Sequence, residues 1–158
     1  MASNAPVLSR AKLIDAVAAE RNAGKTIAFA NGCFDILHVG HLRYLQGAAR
    51  EADILVVGVN GDESVRLLKG KDRPVMSEGE RAEIIAAIRG VGLVTVFHER
   101  SPESLIAAMK PDVHCKGTDY TEDSVPEGGI VRGYGGRVAI VGDPKDHSTT
   151  AVLEKLKR

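Results

Sequence analysis

Two histidines, His38 and His41, stand three positions apart around Gly40, within the stretch of residues 31–41. A short apolar run precedes this stretch and a helical pattern follows it, which places the histidines at a turn from a strand to a helix. The start of a helix offers unpaired backbone N–H groups and a partial positive charge, and both suit a phosphate. Two imidazoles on one face of that helix would stabilise the charge that spreads over a phosphoryl group during its transfer.

A lone histidine is usually a structural residue, but a pair around a glycine at such a turn favours function. A metal site would need a third ligand, and no Cys, His or carboxylate stands at a suitable spacing. The pattern therefore predicts a phosphoryl-transfer site and argues against a zinc site.

A basic loop at residues 69–73 carries Lys69 and Arg73. Lysine offers a phosphate a compact charge, and arginine can grip two of its oxygens. A solvated surface turn is the alternative, since most such runs of charged residues lie in exposed turns.

Arg81 lies in the first turn of the next predicted helix, an unusual place for a cation. A bound anion would explain it, and an exposed surface arginine is the alternative.

Two polar stretches in the second half of the chain carry side chains that could also bind a phosphorylated ligand. Ser148, Thr149 and Thr150 open the last predicted helix; one hydroxyl suffices for an N-cap, and three favour a further contact with phosphates. Lys116 and Asp119 follow the fourth predicted strand, where ligands of open α/β sheets bind. Asp119 would accept a hydrogen bond from a sugar or base, with Lys116 near a phosphate. A turn in which Asp119 bonds to its own backbone is an equal alternative.

Five short apolar runs rich in Val and Ile predict the strands that must position these residues. They span residues 26–30, 54–60, 93–97, 112–115 and 137–141. Helical patterns cover residues 10–22, 39–51, 63–68, 77–89, 101–109, 123–134 and 148–157. This alternation predicts a Rossmann-like, doubly wound α/β fold with a parallel five-stranded sheet of order 3-2-1-4-5 and helices on both faces. We expect residues 1–8 to form a flexible tail and residues 9–158 a single domain.

The overall charge excludes some partners. The 21 basic and 21 acidic residues cancel, which argues against binding to nucleic acid or to an anionic membrane. Cys33 and Cys115 are the only cysteines, so we expect two reduced thiols. With no signal-peptide pattern and no apolar run of about 20 residues, we expect a cytoplasmic protein.

The residues around the histidines resemble a known family. The chain has Gly-Cys-Phe-Asp at residues 32–35 and His-Val-Gly-His at residues 38–41. These resemble the Gly-x-Phe-Asp and His-x-Gly-His motifs of the nucleotidylyltransferase (cytidylyltransferase-like) superfamily. The sequence of residues 31–41 resembles that of the adenylyltransferase domain of ADP-heptose synthase. Further segments resemble that domain: the basic loop at residues 68–75, the helix at 80–84 and the hydroxyls at 148–150. Residues 116–120, Lys-Gly-Thr-Asp-Tyr, resemble its Lys-Gly-Gly-Asp-Tyr loop.

The resemblance implies transfer of an adenylyl group from ATP to D-glycero-β-D-manno-heptose 1-phosphate, giving ADP-heptose and pyrophosphate for lipopolysaccharide or another heptose glycan. It implies Mg²⁺ bound with the nucleotide, a homo-oligomer, and a separate heptose kinase and phosphatase that supply the sugar phosphate. A cytidylyl- or guanylyltransferase for another sugar or polyol phosphate, such as glycerol 3-phosphate, is the alternative within enzymes. A non-catalytic nucleotide-binding sensor is the alternative outside them.

The resemblance also assigns roles to residues. The expected catalytic residues are His38, His41 and Lys69. The expected nucleotide- and phosphate-binding residues are Gly32, Cys33, Phe34, Gly40, Arg73, Arg81, Lys116, Gly117, Ser148, Thr149 and Thr150. Asp35 and Asp119 are expected to bind the sugar phosphate.

Three positions depart from the family pattern. Thr118 stands where the family loop has glycine, and its side chain could reshape the acceptor pocket. Gly92 stands where relatives often carry Asp, in a region that joins the subunits of glycerol phosphate enzymes. Asp143 lies five residues before Ser148, where those enzymes carry Arg, which argues against a close glycerol phosphate assignment.

Overall fold

A computed structural model describes residues 3–144 and 148–158. Its centre is a parallel sheet of five strands: β1 (Ile27–Gly32), β2 (Ile54–Asn60), β3 (Leu93–Phe97), β4 (Val113–Lys116) and β5 (Arg137–Ile140). The strand order is β3-β2-β1-β4-β5, as predicted. Both faces of the inner strands are buried, which explains why their sequences are continuously apolar rather than alternating.

Seven helices are described: α1 (Arg10–Asn22), α2 (Val39–Ala49), α3 (Asp62–Lys69), α4 (Glu78–Ala86), α5 (Glu103–Met109), α6 (Gly128–Gly133) and α7 (Thr149–Leu156). One core cluster joins the sheet to apolar residues of α2 and α4, and a second joins it to those of α1, α5 and α6. Helices therefore cover both faces, which confirms the predicted doubly wound architecture.

Serine caps mark the starts of three helices. Ser9, Ser77 and Ser148 each accept a hydrogen bond from a backbone N–H of the first turn, and Glu80 completes a capping box with Ser77. The largest difference is at α6, which begins at Gly128 rather than at residue 123. Pro126 lies within the intervening segment, and proline has no N–H for a helical hydrogen bond.

The N-terminal segment is not a free tail over residues 5–8. Val7 bridges to Val94 in parallel fashion, so this segment extends the sheet beside β3. The backbone N–H of Leu8 donates to the Val94 carbonyl at 2.8 Å, and the N–H of Val94 donates to the Pro6 carbonyl at 3.0 Å. The prediction missed these contacts because a single short bridge leaves no periodic pattern in the sequence.

The strand order places a crevice beside the central strand. The chain leaves β1 towards β2 on one side, and β4 enters on the other, so the connections diverge between β1 and β4. Ligands of open α/β sheets bind in such a crevice, beyond the carboxyl ends of the strands. Among the described residues, no helix is long and apolar enough to cross a membrane.

Candidate functional site

A cleft of about 470 Å³ lies at this crevice, within the size range of small-molecule sites. It is lined by residues from the ends of β1, β2 and β4, from α2 and α3, and from the start of α7. Of the predicted site residues, those that line it are Gly32, Cys33, Phe34, Asp35, His38, Gly40, His41, Lys69, Arg73, Lys116, Gly117, Asp119, Ser148, Thr149 and Thr150. The cleft thus brings together all the predicted residues except Arg81.

The two histidines form a stacked pair at the start of α2. Their ring centroids are 3.9 Å apart, with an interplanar angle of 26°. His38 is the N-cap of α2, and its Nδ1 accepts from the Gly40 N–H at 3.1 Å. Nδ1 of His41 accepts in turn from the His38 N–H at 3.4 Å. The pair therefore caps its own helix, and the backbone fixes the position of both rings.

These contacts determine which ring nitrogens can donate. A nitrogen that accepts a backbone N–H carries no proton, so a neutral imidazole of either residue holds its proton on Nε2. Both His38 and His41 line the cleft. Two Nε2–H donors, oriented by the helix start, are a suitable arrangement for the oxygens of a phosphoryl group.

The loop between β1 and α2 lies tightly against the histidines. Phe34 is buried with φ of 48°, a left-handed conformation that is uncommon for a bulky residue. Its ring meets the His41 ring edge-on, at a centroid distance of 5.5 Å. A Cβ atom on Gly32 would lie 3.0 Å from the Phe34 ring, so only glycine fits there without displacing it. The loop backbone is thus held in a strained form next to the cleft.

Cys33 is half-buried in the same loop and lines the cleft. Burial raises the pKa of its thiol, although the positive charges of Lys69, Arg81 and Arg73 act in the opposite direction. The thiol is therefore protonated near neutral pH. Cys33 and Cys115 are both free, in agreement with the expected reduced thiols.

Asp35 holds the basic loop, although we predicted a contact with the sugar phosphate. Its carboxylate is 1% exposed. It accepts from Arg73 Nε at 2.7 Å and from the backbone N–H groups of Val75 and Met76 at 2.9 to 3.0 Å. Both carboxylate oxygens are thus engaged by the chain itself. The structure gives Asp35 a positioning role for the basic loop; because Asp35 also lines the cleft, its contact with the sugar phosphate stays a prediction.

The basic loop borders the cleft through Lys69 and Arg73. Lys69 is the last residue of α3, and the helix ends there because Gly70 adopts φ of 109°. Arg73 is 15% exposed and is held by Asp35. The predicted alternative of a solvated surface turn does not describe Arg73, which is anchored by a buried carboxylate. Lys69 lines the cleft but is exposed, so its contact with a phosphate stays a prediction.

Arg81 does not line the cleft, contrary to our prediction. The side chain is fully buried, and its guanidinium donates to the carbonyls of Met76, Cys33 and Asn60 at 2.6 to 3.0 Å. It also donates to the Asp62 carboxylate at 2.8 Å. An ion pair and three carbonyls explain this cation without a bound anion. Arg81 thus has a structural role: it joins α4 to the cleft loop at Cys33 and to the end of β2.

The hydroxyl cluster lies at the start of α7, as predicted. Ser148 is the N-cap, and its Oγ accepts from the Ala151 N–H at 3.0 Å. Thr149 donates from Oγ1 to the Ile36 carbonyl at 3.2 Å, which ties α7 to the loop before the histidines. Ser148, Thr149 and Thr150 all line the cleft. Capping and a role in the cleft are therefore compatible.

The loop after β4 forms another part of the cleft wall. The ammonium group of Lys116 lies 4.8 Å from the centroid of the Tyr120 ring, within range of a cation–π contact. A Cβ atom on Gly117 would lie 3.2 Å from Asp119 Oδ1, so the turn is tight. Thr118 donates from Oγ1 to the Asp143 carbonyl at 2.7 Å.

Tyr44 and Asn31 are among the lining residues that the motifs did not indicate as site residues. Tyr44, three positions after His41, donates from its hydroxyl to the Cys115 carbonyl at 2.8 Å. Burial raises the pKa of Tyr44 well above its usual value, which keeps this hydroxyl a donor. Asn31 lines the cleft, and its Oδ1 is buried without a hydrogen-bond partner among the described residues. The helical spacing from His41 could have indicated Tyr44.

Residues 3–144 and 148–158 contain no group of three or more His, Cys, Asp or Glu side chains placed to hold a metal ion. The donor set of the cleft, rich in cations and imidazoles, instead fits an anionic ligand.

Comparison with known proteins agrees with this site. Residues 29–154 match the model of the Cytidylyltransferase-like family. The chain therefore belongs to the cytidylyltransferase-like family, as its motifs predicted. The matched region begins in β1 and ends in α7, and so includes every residue that lines the cleft.

Several curated relatives share the name bifunctional protein HldE. The chain is 48% identical over 147 residues to bifunctional protein HldE of Syntrophotalea carbinolica, and 44% identical over 154 residues to that of Trichlorobacter lovleyi. These matches cover 93% and 98% of this chain, but 30% and 31% of the relatives. The chain thus spans about a third of the length of the curated relatives it matches.

A solved structure has the same fold. The lipopolysaccharide core biosynthesis protein of Thermoplasma volcanium superposes with a TM-score of 0.66 at 27% sequence identity. The match covers 77% of this chain and all of that one.

Proposed function

We propose that this chain transfers an adenylyl group from ATP to D-glycero-β-D-manno-heptose 1-phosphate, giving ADP-heptose and pyrophosphate. The observation that carries the proposal is the stacked pair of His38 and His41, which orients two ring donors into a cleft walled by Lys69 and the hydroxyls of α7. The bifunctional relatives and the lipopolysaccharide core biosynthesis protein support a sugar-phosphate acceptor.

The sugar phosphate needs no strong base in this reaction. Its oxygen is already anionic at neutral pH and attacks the α-phosphorus of ATP, while the bond from that phosphorus to the bridging oxygen of pyrophosphate breaks. The protein must align the two anionic substrates and stabilise the charge that spreads over the α-phosphoryl oxygens. The Nε2 donors of His38 and His41 and the ammonium of Lys69 would supply this stabilisation.

The walls of the cleft suggest how the substrates divide it. The backbone of Gly32, Cys33 and Phe34 would line the nucleotide, with Gly40 at the start of α2. Ser148, Thr149 and Thr150 would contact the β- and γ-phosphates, together with Arg73. Asp119 would bind the sugar phosphate, and Lys116 and Gly117 in the same loop would contact a phosphate group. Mg²⁺ would enter as part of the Mg–ATP substrate, held mainly by phosphate oxygens.

The biological setting follows from the substrates. ATP and a sugar 1-phosphate are intracellular metabolites, so we propose that the reaction takes place in the cytoplasm. The acceptor would come from a heptose kinase followed by a phosphatase that removes a second phosphate. The product would be a precursor for the synthesis of lipopolysaccharide or another heptose-containing glycan. Homo-oligomerisation remains a prediction from the family resemblance.

A substrate matrix tests the proposal. The chain is incubated with ATP, CTP or GTP against D-glycero-β-D-manno-heptose 1-phosphate, glycerol 3-phosphate and other sugar 1-phosphates, and pyrophosphate release is measured. We expect the highest kcat/KM for ATP with the heptose 1-phosphate. Faster reaction of CTP with glycerol 3-phosphate would contradict the proposed substrates, and nucleotide binding with no turnover on any acceptor would contradict the enzymatic function.

A further inference from the structure

Helix α2, which begins with the histidine pair, is tied to the sheet at the point where the crevice begins. Strand β1 pairs with β4 only as far as Ala30 and Cys115, although it stays paired with β2 as far as Gly32. Cys115 thus belongs to the last residue pair between β1 and β4. The hydroxyl of Tyr44, on α2, donates to the Cys115 carbonyl at 2.8 Å. A single side chain therefore connects α2 to the edge of the crevice.

Tyr44 lies between the two groups of residues that the proposed reaction requires. It stands three positions after His41, so the two side chains share a face of α2, and both line the cleft. Its partner Cys115 directly precedes residues 116–120, which we call the acceptor loop. Burial is the main cause of the raised pKa of Tyr44, and the charge of Asp119 adds to it. The hydroxyl thus lies near the residue proposed to bind the sugar phosphate.

The same helix packs closely on the residues that follow β5. A Cβ atom on Gly47 would lie 3.1 Å from the Cβ of Val141, and a Cβ atom on Gly142 would lie 3.2 Å from the Cα of Tyr44. The backbone of α2 therefore lies against residues 141–142 with no bulky side chain between them. These glycines fix how closely α2 approaches that segment, and the Tyr44 hydroxyl fixes α2 relative to the end of β4.

We infer that Tyr44 is a positioning residue, whose hydrogen bond to the Cys115 carbonyl holds the histidine pair at the distance from the acceptor loop that the transfer requires. The inference rests on the proposed function, in which the histidines stabilise the α-phosphoryl group and the acceptor loop holds the sugar phosphate. Such a reaction depends on alignment of the reacting atoms, and a displacement of about 1 Å can cost about a hundredfold in rate. The Tyr44 proton is used within the chain, so the hydroxyl acts on the reaction through placement.

The experiment compares Tyr44→Phe with a matched control, Tyr134→Phe. Phenylalanine at position 44 removes the hydrogen bond and keeps the ring, which packs against the apolar core. The Tyr134 hydroxyl donates to the Pro111 carbonyl at 2.7 Å, two positions before β4 begins, and Tyr134 does not line the cleft. Each variant therefore loses one bond from a phenol to a backbone carbonyl, at opposite ends of the same strand.

Rapid-quench measurement of a single turnover gives the rate of pyrophosphate formation, and steady-state assays give KM for ATP and for D-glycero-β-D-manno-heptose 1-phosphate. We expect Tyr44→Phe to lower the single-turnover rate about tenfold or more, with both KM values within about twofold of native. Tyr134→Phe should keep the native rate, although its midpoint of urea unfolding should shift about as far as that of Tyr44→Phe.

Three results would overturn the inference. A native single-turnover rate in Tyr44→Phe would show that the hydrogen bond does not position the histidines. An equal loss of rate in Tyr134→Phe would mean that general loosening of the fold explains both variants. A raised KM with an unchanged rate in Tyr44→Phe would mean that the hydroxyl contacts a substrate.

The native chain separates failure of this inference from failure of the proposed function. If the native chain and Tyr44→Phe release pyrophosphate equally fast, the positioning role alone is contradicted. A native chain that releases no pyrophosphate from ATP and the heptose 1-phosphate contradicts the proposed function, and the positioning role with it.

Discussion

The histidine rings owe their orientation to the backbone of the helix they begin. Each Nδ1 accepts a backbone N–H, so the two rings need no other side chain to define their donor nitrogens. A site built in this way is encoded within four consecutive residues. This is why the pair could be predicted from sequence, whereas contacts between distant segments, such as that of Arg73 with Asp35, could not.

Replacement of His41 by alanine should abolish turnover and leave the fold intact. We expect kcat to fall by a hundredfold or more, the order of magnitude for loss of one donor to a transition-state oxygen, about 10²–10³. Pyrophosphate release measures the loss, and circular dichroism checks the fold. His98→Ala is the control, since His98 is 69% exposed and lies outside the cleft. Unchanged pyrophosphate release by His41→Ala would rule out the catalytic assignment.

Asp35 should make stability depend on pH in the acidic range. Burial by itself raises its pKa, but the N–H groups of Met76 and Val75 and the Arg73 guanidinium outweigh it, so the pKa lies below the usual 3.8. A carboxyl with a lowered pKa stabilises the fold at pH values above 3.8. That stabilisation is lost as pH falls through the folded-state pKa.

Asp35→Asn therefore should lower the free energy of unfolding at pH 7 by about 1.5–3 kcal/mol, the range for hydrogen bonds to a charged group. The difference from the native chain should shrink as pH falls below about 4. Urea unfolding between pH 3 and pH 7 measures both effects. A difference between the two proteins that stays constant over this range would contradict the role assigned to the carboxylate.

At the scale of elements, the boundaries of strands and helices followed from local chemistry. Glycines, serine caps and apolar runs mark them in the sequence, and β2 and β3 have the bounds that the apolar runs predicted. Arg81 shows what local chemistry cannot reveal. A cation in the first turn of a helix suggests an anion nearby, but its partners come from residues 33, 60 and 62, which only the folded chain brings together.

Arg81→Met should destabilise the protein strongly, because it leaves three carbonyls and the Asp62 carboxylate without their donor. We expect a loss of about 3–5 kcal/mol, the range for breaking a buried pair, measured by urea unfolding. Arg89→Met is the matched control, since Arg89 is exposed just beyond α4. If both variants lose equal stability, the buried network does not hold α4 to the cleft loop.

At the scale of the whole molecule, the N-terminal segment belongs to the sheet. Its backbone bonds at Ala5, Pro6 and Leu8 are joined by a bond from the Thr95 hydroxyl to the Leu8 carbonyl at 2.8 Å. The order of the five strands was predictable because crossover rules allow few alternatives. The added strand-like segment was not, because it follows from no rule of alternation.

Deletion of residues 2–8 should lower the free energy of unfolding by about 2–4 kcal/mol, since it removes four hydrogen bonds and uncovers the edge of β3. Deletion of residues 2–4 leaves all four bonds in place and should have little effect. Thermal and urea unfolding of the two shortened chains provide the comparison. Equal stability of both shortened chains would mean that the edge contacts contribute nothing.

The central position of β1 has a consequence for how the protein becomes active during folding. Ala28 pairs with Leu55 on one side and with Val113 on the other, and the second pairing must close a long loop of chain. Parallel pairings of such high sequence separation form slowly. The cleft uses both sides of β1, so a refolding chain should regain helical content first and catalytic activity only in its last kinetic phase.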